Sequence, residues 1–396
     1  MKISWKLLLA PVFALFVLSY VDKAFLLPEV RDRFLQPGGM VYYKQRERQI
    51  DRMREYAKAK PPDIHLAVVL GDSRSFAIGN LPAQYIGRKN WKIFNFAGPQ
   101  ANPAYFYYLS RRLFTGLRRP GYMILEVSPE SFNRNTGILG TTILNHGIAG
   151  GYMEPMSTMI PQMDKEAYND TRAFAFYGLP FSLREAILRV RGSISPEKKK
   201  SGSMFDLIPI EQMEKGFQAI YGPAVEWQSG LMMSMKNAEI HNLDLYSMEQ
   251  SHEVKFLNLM NGAQYAWFGT ATDAELKSDT DRIAGIYLKR FQVSEEQVVF
   301  FERTLDAARA AGVKVIVFWP QVNPYLETRL NADPRFAILK KRIADESKDR
   351  GAVVLDMSAQ EETRCKNFYD ASHLSIQCFP AITGFLLDRL EKVPSN

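Results

Sequence analysis

The sequence has few of the residues from which metal centres are built. Its 396 residues include two cysteines, Cys365 and Cys378, and five histidines. There is no Cys-x-x-Cys pair and no cluster of His and Cys with metal-ligand spacing, which argues against the structural zinc motifs. We therefore expect no metal ion at the functional site.

Nucleotide-binding loops and nucleic-acid-binding modules are lacking too. No Gly-x-x-x-x-Gly-Lys or Gly-x-Gly-x-x-Gly loop follows a predicted strand, so we expect no cofactor. The net charge is +7, and the basic residues are scattered except at Lys198–Lys200 and over residues 44–60. Because a nucleic-acid surface gathers its basic side chains beside aromatic or glycine motifs, we expect no nucleic-acid partner.

The start of the chain carries a conspicuous apolar run. Met1–Lys6 is short and basic, and Leu7–Val21 is almost entirely apolar. No small-x-small cleavage site follows, so the run favours an uncleaved signal anchor over a removed signal peptide, with a buried soluble helix as the alternative. It is short of the ~20 apolar residues of a full span, which Lys6 can lengthen by snorkelling. We expect residues 1–27 to form a single transmembrane anchor, with the remaining chain in the periplasm or outside the cell.

Prolines separate two further segments. Residues 28–60 are interrupted by Pro37-Gly38-Gly39 and continue as a charged, helix-favouring stretch, which predicts a juxtamembrane helical stalk, with an outer helix as the alternative. Pro61-Pro62 follows, and residues 61–392 carry the pattern of an α/β domain. With 46% hydrophobic and 23% charged residues, the chain has the composition of a folded protein.

Short apolar runs alternate with helical patterns in this domain. The predicted strands are Leu66–Leu70, Trp91–Phe96, Tyr122–Val127, Val313–Trp319 and Ala352–Asp356. The predicted helices are Tyr105–Leu117, Glu295–Ala311, Pro334–Arg350 and Phe379–Leu390. This alternation predicts a parallel five-stranded sheet covered by helices on both faces, a three-layer sandwich. Residues 135–294 break the rhythm and predict a large, mostly helical or irregular insertion.

Polar residues follow the predicted strands, where α/β proteins place their chemistry. Ser73 directly follows the first strand, and Asp370 and His373 lie in a loop before the last helix. A serine hydroxyl becomes a nucleophile when an imidazole takes its proton, and a carboxylate can orient that imidazole. Because the carboxyl ends of parallel strands share one edge of the sheet, the three residues can meet there.

Structural roles are the alternatives for the same residues. Asp72 and Ser73 are both suited to capping the helix that follows. Asp370 could be a turn residue, and His373 a partly buried surface side chain. Ser75 is the substitute nucleophile if Ser73 only caps.

Three motifs resemble the SGNH/GDSL hydrolases: Gly71-Asp72-Ser73 after the first strand, Gly98 after the second, and Asp370-x-x-His373 before the last helix. The resemblance covers residues 61–134 and 295–392 and implies a flavodoxin-like SGNH hydrolase fold. It implies that Ser73 is the nucleophile, His373 its base and Asp370 the residue that orients the base. The backbone N–H groups of Ser73 and Gly98 are the implied oxyanion donors.

The segment after the third strand departs from that family. Typical members carry Gly-x-Asn-Asp there, and this chain does not, so Ser128 or Asn133 is the substitute oxyanion donor. The N-terminal run, the Ser-Pro after the third strand and Pro320 after the fourth are similar to a membrane-anchored branch that acts in D-alanylation of teichoic acids and O-acetylation of exopolysaccharides. That similarity implies an acylated glycan or envelope polymer as substrate, and a multispanning membrane O-acyltransferase as partner.

The two cysteines bracket the predicted catalytic loop. In an oxidising compartment, Cys365 and Cys378 can form a disulfide that restricts the loop carrying Asp370 and His373. Two unpaired, buried thiols are the alternative.

Two functions of different classes follow from these observations. The first is a membrane-anchored serine acyl esterase or O-acyltransferase that acts on an envelope polysaccharide or glycolipid through an acyl-serine intermediate. Water or a sugar hydroxyl could resolve that intermediate, so the residues do not separate esterase from transferase. The second is a catalytically inactive SGNH-like scaffold or glycan-binding component of a polymer assembly system, which the missing asparagine favours.

Overall fold

A single parallel sheet organises the protein. The computed structural model describes residues 5–27, 30, 38–80, 83–116, 119–135, 169–170, 173–175, 261–263, 270–288 and 290–394. The strands are β1 His65–Leu70, β2 Trp91–Asn95, β3 Tyr122–Glu126, β4 Lys314–Trp319 and β5 Val353–Asp356. Their order across the sheet is β2-β1-β3-β4-β5, and every neighbouring pair is parallel. The prediction of a parallel five-stranded sheet is confirmed, with strand ends within one residue of those expected.

Helices lie on both faces of this sheet. They are α1 Trp5–Ala24, α2 Gly38–Ala59, α3 Pro103–Leu113, α4 Asp273–Ile283, α5 Glu295–Ala310, α6 Pro324–Ala332, α7 Pro334–Asp349 and α8 Phe379–Glu391. Successive strand residues point to opposite faces, so Val68 belongs to one buried apolar cluster and Val69 to the other. Residues from α2, α3, α5 and α7 complete the first cluster, and α8 contributes to the second.

The strand order places a crevice above β1. Strand β2 lies beside one edge of β1, and β3 lies beside its other edge. The strand order therefore reverses direction at β1. In open α/β sheets, ligands bind outside the carboxyl ends of the strands at such a reversal. The segments that follow β1 and β3 therefore flank the expected site.

Helix α6 is missing from the sequence-based prediction. It begins at Pro324, and the Asn323 side chain caps it by accepting hydrogen bonds from the N–H groups of Tyr325 and Leu326. Leu326 is its one buried residue. A nine-residue helix with one buried side chain has no apolar periodicity to reveal it.

Most of the predicted insertion at 135–294 lies outside the described residues. Its C-terminal part contains α4, which begins with a capping box between Thr272 and Glu275. A short π-helical turn over Ala284–Leu288 continues α4 toward α5.

The predicted transmembrane anchor over residues 1–27 is unsupported. Helix α1 forms there, and many of its apolar side chains are exposed, with Phe13 at 69% and Tyr20 at 72%. Among the residues that the structure describes, no helix is long and apolar enough to cross a membrane.

Helix α2, which lies within the predicted stalk at residues 28–60, packs into the core of the domain. Ile50 and Met53 of α2 are fully buried in the core cluster that also contains Val68. Gln49 donates hydrogen bonds to the carbonyl oxygens of Asn95 at 2.9 Å and Asn261 at 2.6 Å. Asp51, Glu55 and Lys58 are exposed on the outer face of α2, which made the helix look solvated. The buried residues Arg46, Gln49, Ile50 and Met53 form a narrow inner stripe.

Substitutions in α2 test this packing. We expect Ile50→Ala to lower the free energy of unfolding by roughly 2–5 kcal/mol, because it leaves a cavity in the core. The matched control is Asp51→Ala, whose side chain is 76% exposed and which should change stability by less than about 0.5 kcal/mol. Urea unfolding measures both, and equally small effects would mean that α2 does not share the core.

Candidate functional site

Ser73 lies on a tight turn immediately after β1. The chain leaves the strand at Gly71, and Ser73–Ser75 forms a single 3-10 turn. The Asp72 carboxylate caps this turn by accepting the Arg74 N–H at 2.8 Å. Asp72 therefore has the capping role expected for it, which leaves the Ser73 hydroxyl for other contacts.

The loop that carries Asp370 and His373, called the histidine loop below, is held in shape by hydrogen bonds to Asp370. The Asp370 Oδ1 atom accepts the backbone N–H groups of Ser372 and His373, each at 2.8 Å. Asn323 Nδ2 donates to the Ala371 carbonyl at 2.9 Å, which ties the loop to the start of α6. The spacing Asp-x-x-His thus encodes a local turn that carries both side chains to the sheet edge.

The structure brings Ser73, His373 and Asp370 together in one hydrogen-bonded row. Ser73 Oγ lies 2.7 Å from His373 Nε2. His373 Nδ1 lies 2.8 Å from Asp370 Oδ2 and 2.9 Å from Oδ1. The His373 and Asp370 side chains are 14% and 25% exposed, so the row is open to solvent at its surface.

The charge on Asp370 determines how the proton is placed on the ring. Burial alone would raise the Asp370 pKa, but the His373 charge and three hydrogen bonds outweigh burial and lower this pKa to about 2. An ionised carboxylate can only accept, so His373 Nδ1 carries the hydrogen. With this hydrogen on Nδ1, Nε2 is the ring atom placed to accept the Ser73 hydroxyl, which is the arrangement a general base requires.

Cys365 and Cys378 form a disulfide around this loop, with their Cα atoms 5.9 Å apart. Gln321 holds one end, since its side chain donates to the Cys365 carbonyl and accepts the Cys365 N–H. The loop that carries Asp370 and His373 is thus closed at its base.

Gly98, a predicted oxyanion donor, uses its backbone N–H within the fold. The Gly98 N–H donates to the Gly71 carbonyl at 3.0 Å, continuing the hydrogen bonding between β1 and β2 beyond the strands. An N–H group that is directed at a neighbouring carbonyl does not point into the site. Gln100, two residues later, has a left-handed backbone with φ of 59°, a strained conformation for a residue other than glycine.

The two substitute donors have other contacts. The Ser128 hydroxyl donates to Asp72 Oδ2 at 3.0 Å. The Asn133 Oδ1 atom accepts the backbone N–H groups of Asn135 at 3.1 Å and Gln292 at 3.2 Å. Ser128 therefore supports the turn that carries Ser73, and Asn133 joins the segment after β3 to the start of α5.

Ser75, the substitute nucleophile, is fully buried. Its hydroxyl has no hydrogen-bond partner among the residues the structure describes, and its carbonyl accepts Asn95 Nδ2 at 2.7 Å. It does not share the environment of His373.

Arg74 forms a buried ionic cluster beside Ser73 that the sequence did not reveal. Its guanidinium donates to Glu130 at 2.7 Å and to Asp72 at 2.9 Å, and Nε donates to the Ser372 carbonyl at 3.3 Å. Burial alone would lower the Arg74 pKa, but the two carboxylates outweigh it and raise that pKa. Burial also favours the neutral form of Asp72, yet the Arg74 charge and hydrogen bonds lower the Asp72 pKa overall. Arg74 thus joins the segments that follow β1 and β3 to the histidine loop.

Glu126 is a second buried acid that sequence reasoning missed. It ends β3, is 1% exposed, and accepts the Asp72 N–H at 2.6 Å through Oε2. Burial and the nearby Asp72 charge raise the Glu126 pKa well above its usual range. Since an acidic residue at a strand end is common, only its tertiary contact distinguishes it.

These features define an α/β protein with a serine-histidine-aspartate row at the strand-order reversal of its sheet. The chain belongs to the family described as "Protein of unknown function (DUF1574)", whose model matches residues 3–390. No curated protein matches the chain.

Replacing Arg74 tests the ionic cluster. We expect Arg74→Met to lower the free energy of unfolding by roughly 3–5 kcal/mol, because Asp72 and Glu130 lose their buried counter-charge. Arg309→Met is the control: its side chain is 52% exposed where it pairs with Asp306, and such surface pairs contribute about 0–1 kcal/mol. Chemical denaturation measures both, and similar losses would contradict the cluster's role.

The depressed pKa of Asp370 predicts a pH effect. A carboxyl whose folded pKa is below its unfolded pKa stabilises the fold at pH values above the unfolded one, and this stabilisation disappears as the pH falls through the folded value. Between pH 5 and pH 2 we expect the wild type to lose about 2 kcal/mol more unfolding free energy than Asp370→Asn. Asp51→Asn, at an exposed position, should follow the wild-type curve. Parallel curves for wild type and Asp370→Asn would refute the prediction.

Proposed function

We propose that this protein is a serine-dependent acyl esterase or O-acyltransferase of the SGNH type, with a flavodoxin-like sheet. The observation that supports it best is the unbroken row from Ser73 Oγ through His373 to Asp370, with both distances at or below 2.8 Å. The strand order β2-β1-β3-β4-β5 matches flavodoxin-like sheets, and the row lies at the edge where such sheets bind ligands.

The first half of the reaction forms an acyl-serine. Ser73 Oγ attacks the ester carbonyl while His373 Nε2 takes the hydroxyl proton, and Asp370 stabilises the resulting imidazolium. The tetrahedral intermediate then collapses, the bond to the alcohol oxygen breaks, and Nε2–H gives its proton to the leaving alcohol. Ser73 is left carrying the acyl group and His373 is neutral again.

The second half restores Ser73. Water or a sugar hydroxyl loses its proton to His373 Nε2 and attacks the acyl carbon, and the serine oxygen leaves with that proton. Water produces a free acid, and a sugar hydroxyl produces a new ester. The same three side chains serve both outcomes, so the acceptor decides between hydrolysis and transfer.

The Ser73 N–H is the oxyanion donor that this proposal retains. Gly98 is not proposed, because its N–H is directed to the Gly71 carbonyl. Its contribution is to hold Gly71, and thereby the turn that carries Ser73.

An envelope polysaccharide or glycolipid is the proposed acyl acceptor or donor, with a multispanning membrane O-acyltransferase as the proposed partner. The disulfide supports a location outside the cytoplasm, since structural disulfides persist in oxidising compartments. The resemblance to the envelope-acting branch supports the substrate class.

A catalytically inactive scaffold or glycan-binding component is the second candidate. The contacts made by Gly98 and Ser128 favour it, because both groups are used within the fold instead of at the oxyanion. The short Ser73–His373 contact opposes it.

Labelling with a fluorophosphonate separates the two candidates. Wild-type protein should be labelled at Ser73, and Ser73→Ala should lose labelling and lower the hydrolysis of p-nitrophenyl acetate by at least about 10³-fold. Ser75→Ala is the matched control, since it removes a buried hydroxyl two residues away and should remain labelled.

The opposite results would support the scaffold. An unlabelled wild-type protein, together with full complementation of a gene deletion by Ser73→Ala, would reject the enzymatic proposal. If Ser75→Ala lost labelling to the same extent, the loss in Ser73→Ala would be attributed to a disturbed turn and not to a missing nucleophile.

A further inference from the structure

A chain of hydrogen bonds crosses the sheet edge beneath Ser73, from a buried arginine to a buried glutamate. Arg46 of α2 donates to the Ala97 carbonyl, and the next N–H, of Gly98, donates to the Gly71 carbonyl. The N–H that follows Gly71, that of Asp72, donates to Glu126. The chain therefore runs from α2 through the segments after β2 and β1 to the end of β3.

Arg46 is specialised for this contact. Its side chain is fully buried, and two of its nitrogens reach the same oxygen, Nε at 2.9 Å and Nη2 at 2.7 Å from Ala97 O. Removing a guanidinium from water costs several kcal/mol unless hydrogen bonds compensate. Nη1 donates to Gln49 Oε1 at 3.3 Å. Because two of its nitrogens converge on the Ala97 carbonyl, Arg46 constrains the orientation of the Ala97–Gly98 peptide.

Glu126 lies at the other end of this hydrogen-bond chain. Oε2 lies 2.6 Å from the Asp72 nitrogen, and Oε1 has no hydrogen-bond partner within the described part of the chain. A Cβ atom on Gly71 would lie 2.6 Å from Ser75 Oγ, 2.8 Å from Glu126 Cβ and 2.9 Å from Glu126 Oε2. Glycine at position 71 therefore leaves room for the Glu126 side chain and for Ser75.

The two peptide groups between these side chains are aligned head to tail. Each trans peptide accepts at its carbonyl and donates from its N–H on the opposite side, so each bond polarises the next. Arg46 donates to the first carbonyl of this pair of peptides, and Glu126 accepts from the last N–H. Both contacts strengthen the alignment. The peptide that precedes Ser73 is consequently fixed on both sides.

We propose that Arg46 and Glu126 are positioning residues that hold the Ser73 turn through this peptide chain. The inference rests on the proposed function, because the turn's catalytic value depends on Ser73 acting as the nucleophile. Each side chain acts on the row through these peptides. They fix the Gly71–Asp72 peptide, whose position sets where Ser73 Oγ meets His373.

The test compares variants that keep or remove each contact. Glu126→Gln retains an oxygen that can accept the Asp72 N–H, and Glu126→Leu does not. Arg46→Lys retains a cationic donor, and Arg46→Met does not. Phe301→Leu is the control for lost stability, since Phe301 is fully buried in α5 with its ring 5.9 Å from that of Phe132.

The kinetic expectation concerns kcat more than KM. With p-nitrophenyl acetate, Glu126→Leu and Arg46→Met should lower kcat by about 10²-fold, the effect of misplacing a reacting group by about 1 Å, with KM within about threefold. Glu126→Gln should recover most of kcat, and Phe301→Leu should keep it. The double variant Arg46→Met/Glu126→Leu should lose less than the product of the two single losses, because both break the same chain.

Hydrogen exchange tests the inference without relying on catalysis. In both removal variants, exchange of the Asp72 and Gly98 amides should accelerate by about tenfold, and less in Glu126→Gln. If the wild type is inactive but exchange accelerates in this pattern, the proposed function fails and the positioning chain stands. Unchanged exchange at these amides, a KM rise that accounts for the whole loss, or equal damage in Glu126→Gln and Glu126→Leu would overturn the inference.

Discussion

The turn after β1 is the constraint on which the site depends, because each of its residues is held by a different segment. Gly71 accepts from the loop after β2, and Asp72 donates to the end of β3. Ser73 contacts the histidine loop, and Arg74 reaches both that loop and Glu130. A turn with four separate attachments has little freedom, so the 2.7 Å contact between Ser73 and His373 can persist without a conformational search.

Burying charged side chains around this turn costs free energy, and each buried charge is matched by a partner. Arg74 neutralises Asp72 and Glu130, and Arg46 is separated from Glu126 by two aligned peptides. Apolar replacements would often be as stable as such buried pairs. The protein retains five charged or ionisable groups around one turn, which is better explained by the geometry they impose than by the stability they contribute. A site that must keep a serine within reach of an imidazole has a use for that geometry.

Much of the architecture could be predicted from the sequence, and the failures have identifiable causes. The strands are short apolar runs bounded by polar residues, so their positions were predicted closely. Helix α6 was missed because Leu326 is its only buried residue, and α2 was taken for a separate stalk because its charged face dominates its composition. The Asp370-x-x-His373 turn was recognisable because its hydrogen bonds are local. The direction of the Gly98 N–H could not be predicted, because it depends on which carbonyl lies opposite.

The positions of the five strands, the capping of the Ser73 turn by Asp72 and the local turn around Asp370 therefore follow from the sequence alone. These features depend on side-chain periodicity and on hydrogen bonds between residues within a few positions of each other. Only the tertiary structure decided that Ser73 meets His373, that Arg74 bridges to Glu130, and that Arg46 and Glu126 lie at the ends of one chain of peptides. Those contacts join residues from 51 to 300 positions apart. Parallel pairing brings them together, because it gathers the carboxyl ends of distant strands at a single edge.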